Sequence, residues 1–177
     1  VTLAFLSDIK QLKGDAALAA KKWNSKTESI ELKTLKNSNL VIDAIFGAGL
    51  NRSLSKFLTK IVKQVNETGI PCVSVDVPSG VDGDSGQVFD VAIQATLCVT
   101  FCRRKPAHLL LPGRVLAGET VVVDIGIPEG AFSGLANQLS ENDPSNWLSN
   151  YPWPKLGDHK YNRGHALVIG GKAINSG

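Results

Sequence analysis

Methionine is absent from the whole chain, which opens directly on the strand-like run Val1-Thr2-Leu3-Ala4-Phe5-Leu6. A natural protein begins with Met, so the expectation is a fragment cut inside a fold. Long hydrophobic runs are also missing. No apolar stretch reaches the ~18–20 residues of a membrane span, so no membrane partner is expected. Charge of one sign is scarce: the net charge is +3, and no basic stripe of the kind nucleic acids require is visible. Cysteine is limited to Cys72, Cys98 and Cys102, all in apolar runs. An odd count in strand-like surroundings favours reduced, buried thiols in a cytoplasmic-type compartment. Cys98 and Cys102 read as sharing one face of a strand. Neither they nor His159 and His165 complete a recognisable zinc spacing. Internal repeats and low-complexity tracts are lacking too.

What is present is ordinary for a globular protein, 43% hydrophobic and 20% charged over 177 residues. That length fits one domain of ~100–150 residues plus a remnant. Residues 1–7 read as a strand and 14–24 as a helix with Ala16, Ala17, Ala20 and Trp23 on one side. A short strand near Ser29–Leu32 and a polar turn at Lys36–Asn39 follow. The apolar run Leu40–Phe46 predicts a strand that stops at Gly47. Leu54, Phe57, Leu58, Ile61, Val62 and Val65 then follow the i, i+3, i+4, i+7 spacing of one buried helix face. Gly69 supplies the helix stop, and Pro71 opens the next strand. Strand, helix, strand over this span is one crossover unit and implies parallel pairing. Further strands are expected at Ala95–Phe101 and Thr120–Ile125. Pro128–Asp158 has no sustained period and reads as a connector. His165–Gly171 looks like a new strand entering a glycine turn, the start of a second, truncated domain.

Two of these strands end in an Asp followed by Gly- or Pro-rich loop: Val41-Ile42-Asp43-Ala44-Ile45-Phe46-Gly47 and Val73-Ser74-Val75-Asp76-Val77-Pro78-Ser79-Gly80. In an open parallel sheet both loops emerge on the ligand-binding edge. Two carboxylates there suggest a cation site, an acid/base pair, or one of each. Gly47 and Gly49 allow backbone to approach a ligand, and the following helix N-terminus can hold an anion. A plain tight turn with Asp43 as a local cap is the bland alternative. In the second loop, the Asp76 carboxylate and the Ser79 hydroxyl and carbonyl are oxygen ligands of the type a hard cation prefers. Asp82 and Asp84 belong to a self-stabilising Asx-rich loop. Arg103-Arg104-Lys105 lies beyond a strand end and reads equally as a phosphate grip or a solvated turn. His108 precedes the buried-looking Leu109-Leu110-Leu111-Pro112-Gly113-Arg114 and reads as a satisfied structural histidine. Ser79 lacks the Gly-x-Ser-x-Gly elbow of a nucleophile.

Taken in order, Ile42–Leu50, Asp76-Val77-Pro78-Ser79-Gly80, Arg104–Gly113 and Asp124-Ile125-Gly126-Ile127-Pro128 resemble the NAD(P)H-hydrate epimerase family (the YjeF N-terminal domain). The ending Lys160–Gly171 resembles the opening of the ADP/ATP-dependent NAD(P)H-hydrate dehydratase domain. The resemblance implies a Rossmann-like, three-layer αβα fold with a mainly parallel sheet, its N-terminal part missing, followed by the start of a ribokinase-like domain. It implies an epimerase part over 1–130, a linker over 131–158 and a dehydratase start over 159–177. It also implies that Asp43 and Ser79 are K⁺ ligands, and that Asp76 with Gly47, Ala48, Gly49, Leu50, Asn51, Arg52 and Ser53 binds the hydrated dinucleotide. ADP or ATP would serve the truncated dehydratase. Two positions depart from the family: Ala107 stands for Gly, expected to be tolerated in a loop with room, and Ser53 for Pro, expected to loosen the helix start. The family's Asn-Asn-Gly-Gly-Asp-Gly loop lies upstream of Val1, so the isolated fragment is expected to be defective.

The family reaction interconverts the R and S forms of NADHX or NADPHX at the carbon bearing the added hydroxyl. Asp76 is the expected general acid/base, a role contributing typically 10²–10⁴-fold. The expected setting is cytoplasmic and homo-oligomeric. A non-catalytic nucleotide-binding or interaction module on the same fold is the competing reading, because fold alone does not fix function. An NAD-dependent dehydrogenase is weaker, since no Gly-x-Gly-x-x-Gly follows a visible first strand.

Overall fold

The computed structural model describes residues 1–6, 8–35, 38–134 and 139–170. Contacts divide the chain into two units, 1–135 and 136–177. Among the described residues the first unit holds the helices and strands: β1 (Leu3–Phe5), α1 (Gly14–Lys21), β2 (Thr27–Ser29), β3 (Val41–Asp43), α2 (Lys56–Thr68), β4 (Cys72–Val75), β5 (Leu97–Phe101), α3 (Gly113–Ala117) and β6 (Glu119–Val123). Strands β3-β4-β5-β6 form a four-stranded sheet in chain order, and β1-β2 a separate pair. Each of these strands pairs in parallel, and Val81 and Val88 form one isolated antiparallel bridge. The α/β class with mainly parallel pairing thus agrees with the sequence pattern.

The best-patterned helix forms where the apolar spacing demands it. The Ser55 hydroxyl caps α2 by accepting from the Leu58 N–H, and Gly69 ends it in the left-handed region at φ 66°. Leu58, Ile61, Val62 and Val65 are buried, and with Leu50, Leu54, Cys72, Ile93 and Ala95 they form the main core. Fully burying each such aliphatic side chain contributes roughly 1.5–3 kcal/mol. Phe57, expected on this face, is instead 43% exposed, whereas Leu54 and Leu58 on either side of it are buried. Ser53 lies before the cap, so Ser55 and buried Leu54 set the helix start, and no loosening follows from Ser53.

Strands are shorter than their apolar runs, because a ladder extends only as far as its partner. The run Leu40–Phe46 contributes Val41–Asp43, the three residues that pair with Cys72–Ser74. The strand expected near Ser29–Leu32 lies earlier, at Thr27–Ser29, and Leu32–Leu35 forms a 3-10 turn. The turn expected at Lys36–Asn39 and the end of the first strand at Ser7 fall partly outside the described residues. The helix expected over 14–24 ends at Lys21; Ala17, Ala20 and, beyond its end, Trp23 are half-buried while Ala16 is exposed.

Three expectations near the C-terminal part fail. Leu110 and Leu111 are 48% and 65% exposed, because the chain there turns into α3, which the sequence reading did not foresee. Ala107 has no room around it: it is 1% exposed and packs with Val77, Val81 and Ala92, so its methyl fills a core position. Cys102 lies one residue past β5 with φ 65° and is only half-buried, so it shares no strand face with Cys98. All three cysteines are free.

In the second unit the described residues form isolated 3-10 turns, at Pro144–Asn146, Leu148–Asn150 and Lys160–Arg163. Tyr151 packs against Trp147 and Trp153, at ring-centroid distances of 6.1 and 4.9 Å. The strand expected over His165–Gly171 does not form at 165–170, where Leu167, Val168 and Ile169 are 86–88% exposed. An apolar run becomes a strand only beside a partner that takes its backbone hydrogen bonds. Gly171 is outside the described residues.

Candidate active site at the sheet edge

Parallel pairing of β3 with β4 places Asp43 opposite Ser74, and the chain beyond β4 returns Ser79 to the same place. Asp43 is 3% exposed. Its Oδ2 accepts from the Ser74 hydroxyl at 2.9 Å and the Ser79 N–H at 2.8 Å. Its Oδ1 accepts from the Ser79 hydroxyl at 2.6 Å and, weakly, from the Ile45 N–H at 3.4 Å. Ser79 Oγ in turn accepts from the Phe46 N–H at 3.0 Å. The two loops are therefore locked together through one hydroxyl and one carboxylate. Among the described residues no Lys or Arg is paired with Asp43.

Asp76 occupies a different position on this edge. It adopts φ 72°, a left-handed conformation rare for a non-glycine and typical of over-determined functional positions. Every polar atom of the residue is engaged. Its N–H donates to Val99 O at 2.8 Å, and its carbonyl accepts from His108 Nε2 at 2.8 Å and Cys98 Sγ at 3.3 Å. Oδ1 accepts from Lys105 Nζ at 2.5 Å and Thr100 Oγ1 at 3.0 Å, and Oδ2 from the Ala48 N–H at 3.1 Å. Burial pushes this carboxyl up, but the Lys105 ammonium, the Ala48 N–H and the Thr100 hydroxyl outweigh it and hold Asp76 below the usual carboxylate range.

His108 is buried, and its protonation is fixed by its partners. Nδ1 accepts from the Lys105 N–H at 2.9 Å, so Nε2 must carry the proton donated to the Asp76 carbonyl. Burial pulls its pKa down, with the Asp76 carbonyl opposing and the Lys105 charge assisting. The structural reading of His108 holds, with a specific duty: it secures the strained Asp76 backbone. Cys98 beside it is no nucleophile, because burial and the Asp76 and Asp43 charges push its thiol up to about 12.

The first loop meets the second directly. A Cβ at Gly47 would lie 3.0 Å from Asp76 Oδ2, so glycine keeps that oxygen approachable. Leu50 turns into the core, whereas Gly49, Asn51, Arg52 and Ser53 are exposed. The structure thus brings Gly47 and Ala48 to Asp76 and leaves the rest of that loop at the surface. The basic trio divides: Lys105 pairs with Asp76, while exposed Arg103 pairs with Glu129 at 2.7 Å and covers the Phe132 ring. Asp82 folds onto its own loop, accepting from Ser85 and the Asp84 N–H, as expected. The sequence alone did not mark Ser74 or Thr100, and Lys105, expected as part of a phosphate grip or a solvated turn, is instead the ion-pair partner of Asp76. The one signal of Ser74 and Thr100 was polarity inside otherwise apolar strands.

Comparison with known proteins bears on this edge. The family model described as YjeF-related protein N-terminus matches residues 1–107. A bifunctional NAD(P)H-hydrate repair enzyme Nnr of Thermofilum pendens is 38% identical over 135 residues, covering 75% of this chain and 25% of the relative. An NAD(P)H-hydrate epimerase of Limosilactobacillus fermentum is 43% identical over 90 residues, covering 51% and 43%. The match thus spans a quarter of the first relative's length and under half of the second's. Among solved structures, yeast ynu0 aligns with a TM-score of 0.52 at 23% identity, covering 73% of this chain and 57% of that one, which bears on the fold alone.

Proposed function

The chain belongs to the YjeF-related protein N-terminus family, and from that premise we propose that it carries the epimerase site of an NAD(P)H-hydrate repair protein. The substrate is R- or S-NADHX or NADPHX, and the reaction inverts the carbon bearing the added hydroxyl. The observation that carries this reading is Asp76. It is an ionised carboxylate at a parallel-sheet ligand edge, held in a strained backbone by six partners, with one oxygen kept open by Gly47.

Inversion at that carbon requires a bond to break and re-form there, with a proton moving to or from the departing or ring-opened oxygen. Asp76 accepts and returns that proton. Gly47 and Ala48 border the reacting oxygen, and Gly49, Leu50, Asn51, Arg52 and Ser53 continue the dinucleotide-binding loop; the exposed members are available to the ligand.

The donor set around Asp43 fits a potassium ion. Among the described residues this buried carboxylate is bonded only to neutral groups and lacks a compensating charge, and a burial of that kind is costly without one. Carboxylate, hydroxyl and carbonyl oxygens suit K⁺. Asp43 and Ser79 would hold it, and the Phe46 carbonyl lies 3.5 Å from Ser79 Oγ. When bound, the ion supplies positive charge that orders the pocket. Fit to a metal resting on His, Cys and clustered carboxylates is not indicated among the described residues.

Residues 1–130 form the epimerase part, 131–158 the linker and 159–177 the start of an ADP- or ATP-dependent dehydratase. No helix among the described residues is long and apolar enough to cross a membrane. A cytoplasmic, homo-oligomeric protein without nucleic-acid partners completes the proposal. The test is epimerisation of R-NADHX by the full-length protein, with and without K⁺, for wild type and Asp76→Asn. K⁺-dependent formation of the S form, reduced 10²–10⁴-fold in the variant, is expected. Near-normal turnover by a folded Asp76→Asn protein removes Asp76 from proton transfer. Dinucleotide binding without conversion by wild type favours a binding module instead.

A further inference from the structure

Lys105 reaches back from the turn after β5 to the sheet edge, and its ammonium has three partners. Nζ contacts Asp76 Oδ1 at 2.5 Å, Thr100 Oγ1 at 2.8 Å and the Phe101 carbonyl at 3.2 Å. An ammonium has three protons, so none is left to donate elsewhere. Thr100 is fully buried in β5, and its hydroxyl donates to the same Asp76 oxygen. Two donors therefore fill Oδ1. Among the described residues Oδ2 has only the Ala48 N–H, and the missing side chain at Gly47 preserves the space beside it. A carboxylate oxygen accepts about two hydrogen bonds, so Oδ2 keeps one place open.

We propose that Lys105 is a positioning residue of this site: with Thr100 it occupies Asp76 Oδ1, which leaves Oδ2 as the oxygen that exchanges a proton with the substrate. The inference rests on Asp76 being the acid/base group. Lys105 has no proton to spare for substrate; it acts through Asp76, keeping it ionised and fixing which oxygen faces out. A salt bridge that merely braced the fold would leave the same contacts, and the two roles separate in a pH profile. The titratable groups around Asp76 are Lys105 and neutral His108 beyond β5, Cys98 on β5 and Asp43 at the end of β3. Lys105 is the cationic one among them.

The experiment measures kcat/KM for R-NADHX against pH in the full-length protein, for wild type, Lys105→Gln and Lys105→Arg. A general base works above its pKa, so activity falls on the acid side as Asp76 protonates. Without the ammonium, that acid limb moves up by about 1 pH unit, the low end of the effect of an adjacent opposite charge. Activity within the shifted window drops about tenfold per unit and recovers at higher pH. Lys105→Arg keeps the charge and restores most of the limb. A uniformly lowered profile with the limb in place overturns the proposal. If Lys105→Gln loses its fold, Thr100→Val removes the other donor to Oδ1 and moves the limb in the same direction by less; an unmoved limb there overturns it equally. Failure of the underlying reading looks different, since an active Asp76→Asn discards both roles, whereas an inactive one with an unmoved limb discards only that of Lys105.

Discussion

Replacing Ser79 by Ala tests whether one hydroxyl joins the two loops. Ser79 is 1% exposed, and its Oγ both donates to Asp43 Oδ1 at 2.6 Å and accepts from the Phe46 N–H at 3.0 Å. A hydrogen bond to a charged group contributes about 1.5–3 kcal/mol. The Phe46 N–H, half-buried, then lacks its acceptor and adds a penalty near the lower end of ~1–3 kcal/mol, since water can reach it. The Ser79 N–H bond to Asp43 Oδ2 survives, so the loop is weakened rather than released. We expect a loss of about 3 kcal/mol, which for a domain this size lowers Tm by roughly 6–12 °C. Urea denaturation followed by far-UV circular dichroism in K⁺-free buffer reads it directly. Ser74→Ala is the internal reference: it removes a single bond to Asp43, at 2.9 Å, and is expected to cost less. A Ser79→Ala loss below about 1 kcal/mol, or one smaller than that of Ser74→Ala, refutes the claim that Ser79 is the principal clamp.

Gly80→Ala is expected to be more severe, because a Cβ there would meet the Val91 carbonyl at 2.1 Å and Ala92 Cα at 2.7 Å, at φ 104°. Backbone strain of about 1–3 kcal/mol and overpacking of similar size both apply; an unchanged urea midpoint would contradict the close approach. Alkylation should rank the thiols. At pH 8, Cys102 is expected to react first, because burial pushes Cys72 up to about 11 and Cys98 up to about 12. Mass spectrometry of briefly treated native protein would locate the label, and fast modification of Cys98 would show that it is not sealed beneath Asp76.

Much of the site was visible in the chain itself. Asp43 and Asp76 stand out because a charge closing an apolar run has few reasons to be there other than a cap or a ligand edge. Helix α2 was legible because its burial repeats every 3.6 residues, and Gly69 because the left-handed stop favours a residue without a side chain. The ordered motifs from Ile42 to Pro128 carried the family. Errors fell where local pattern meets a non-local decision. Leu110 and Leu111, and residues 165–170, looked buried or strand-like yet are exposed, because burial and pairing are decided by which distant segments come alongside.

The sequence by itself determined the parallel α/β plan, the main helix, the family and the two acidic loop positions, since each rests on residue type and spacing along the chain. Only the tertiary structure decided which groups meet at those positions. Lys105 with Thr100 on Asp76 Oδ1, His108 on the Asp76 carbonyl, and Ser74 with Ser79 on Asp43 are contacts between strands and loops set side by side by sheet register. Register is settled when distant segments pair and match their buried faces, so no one segment read alone names the residue it will lie beside.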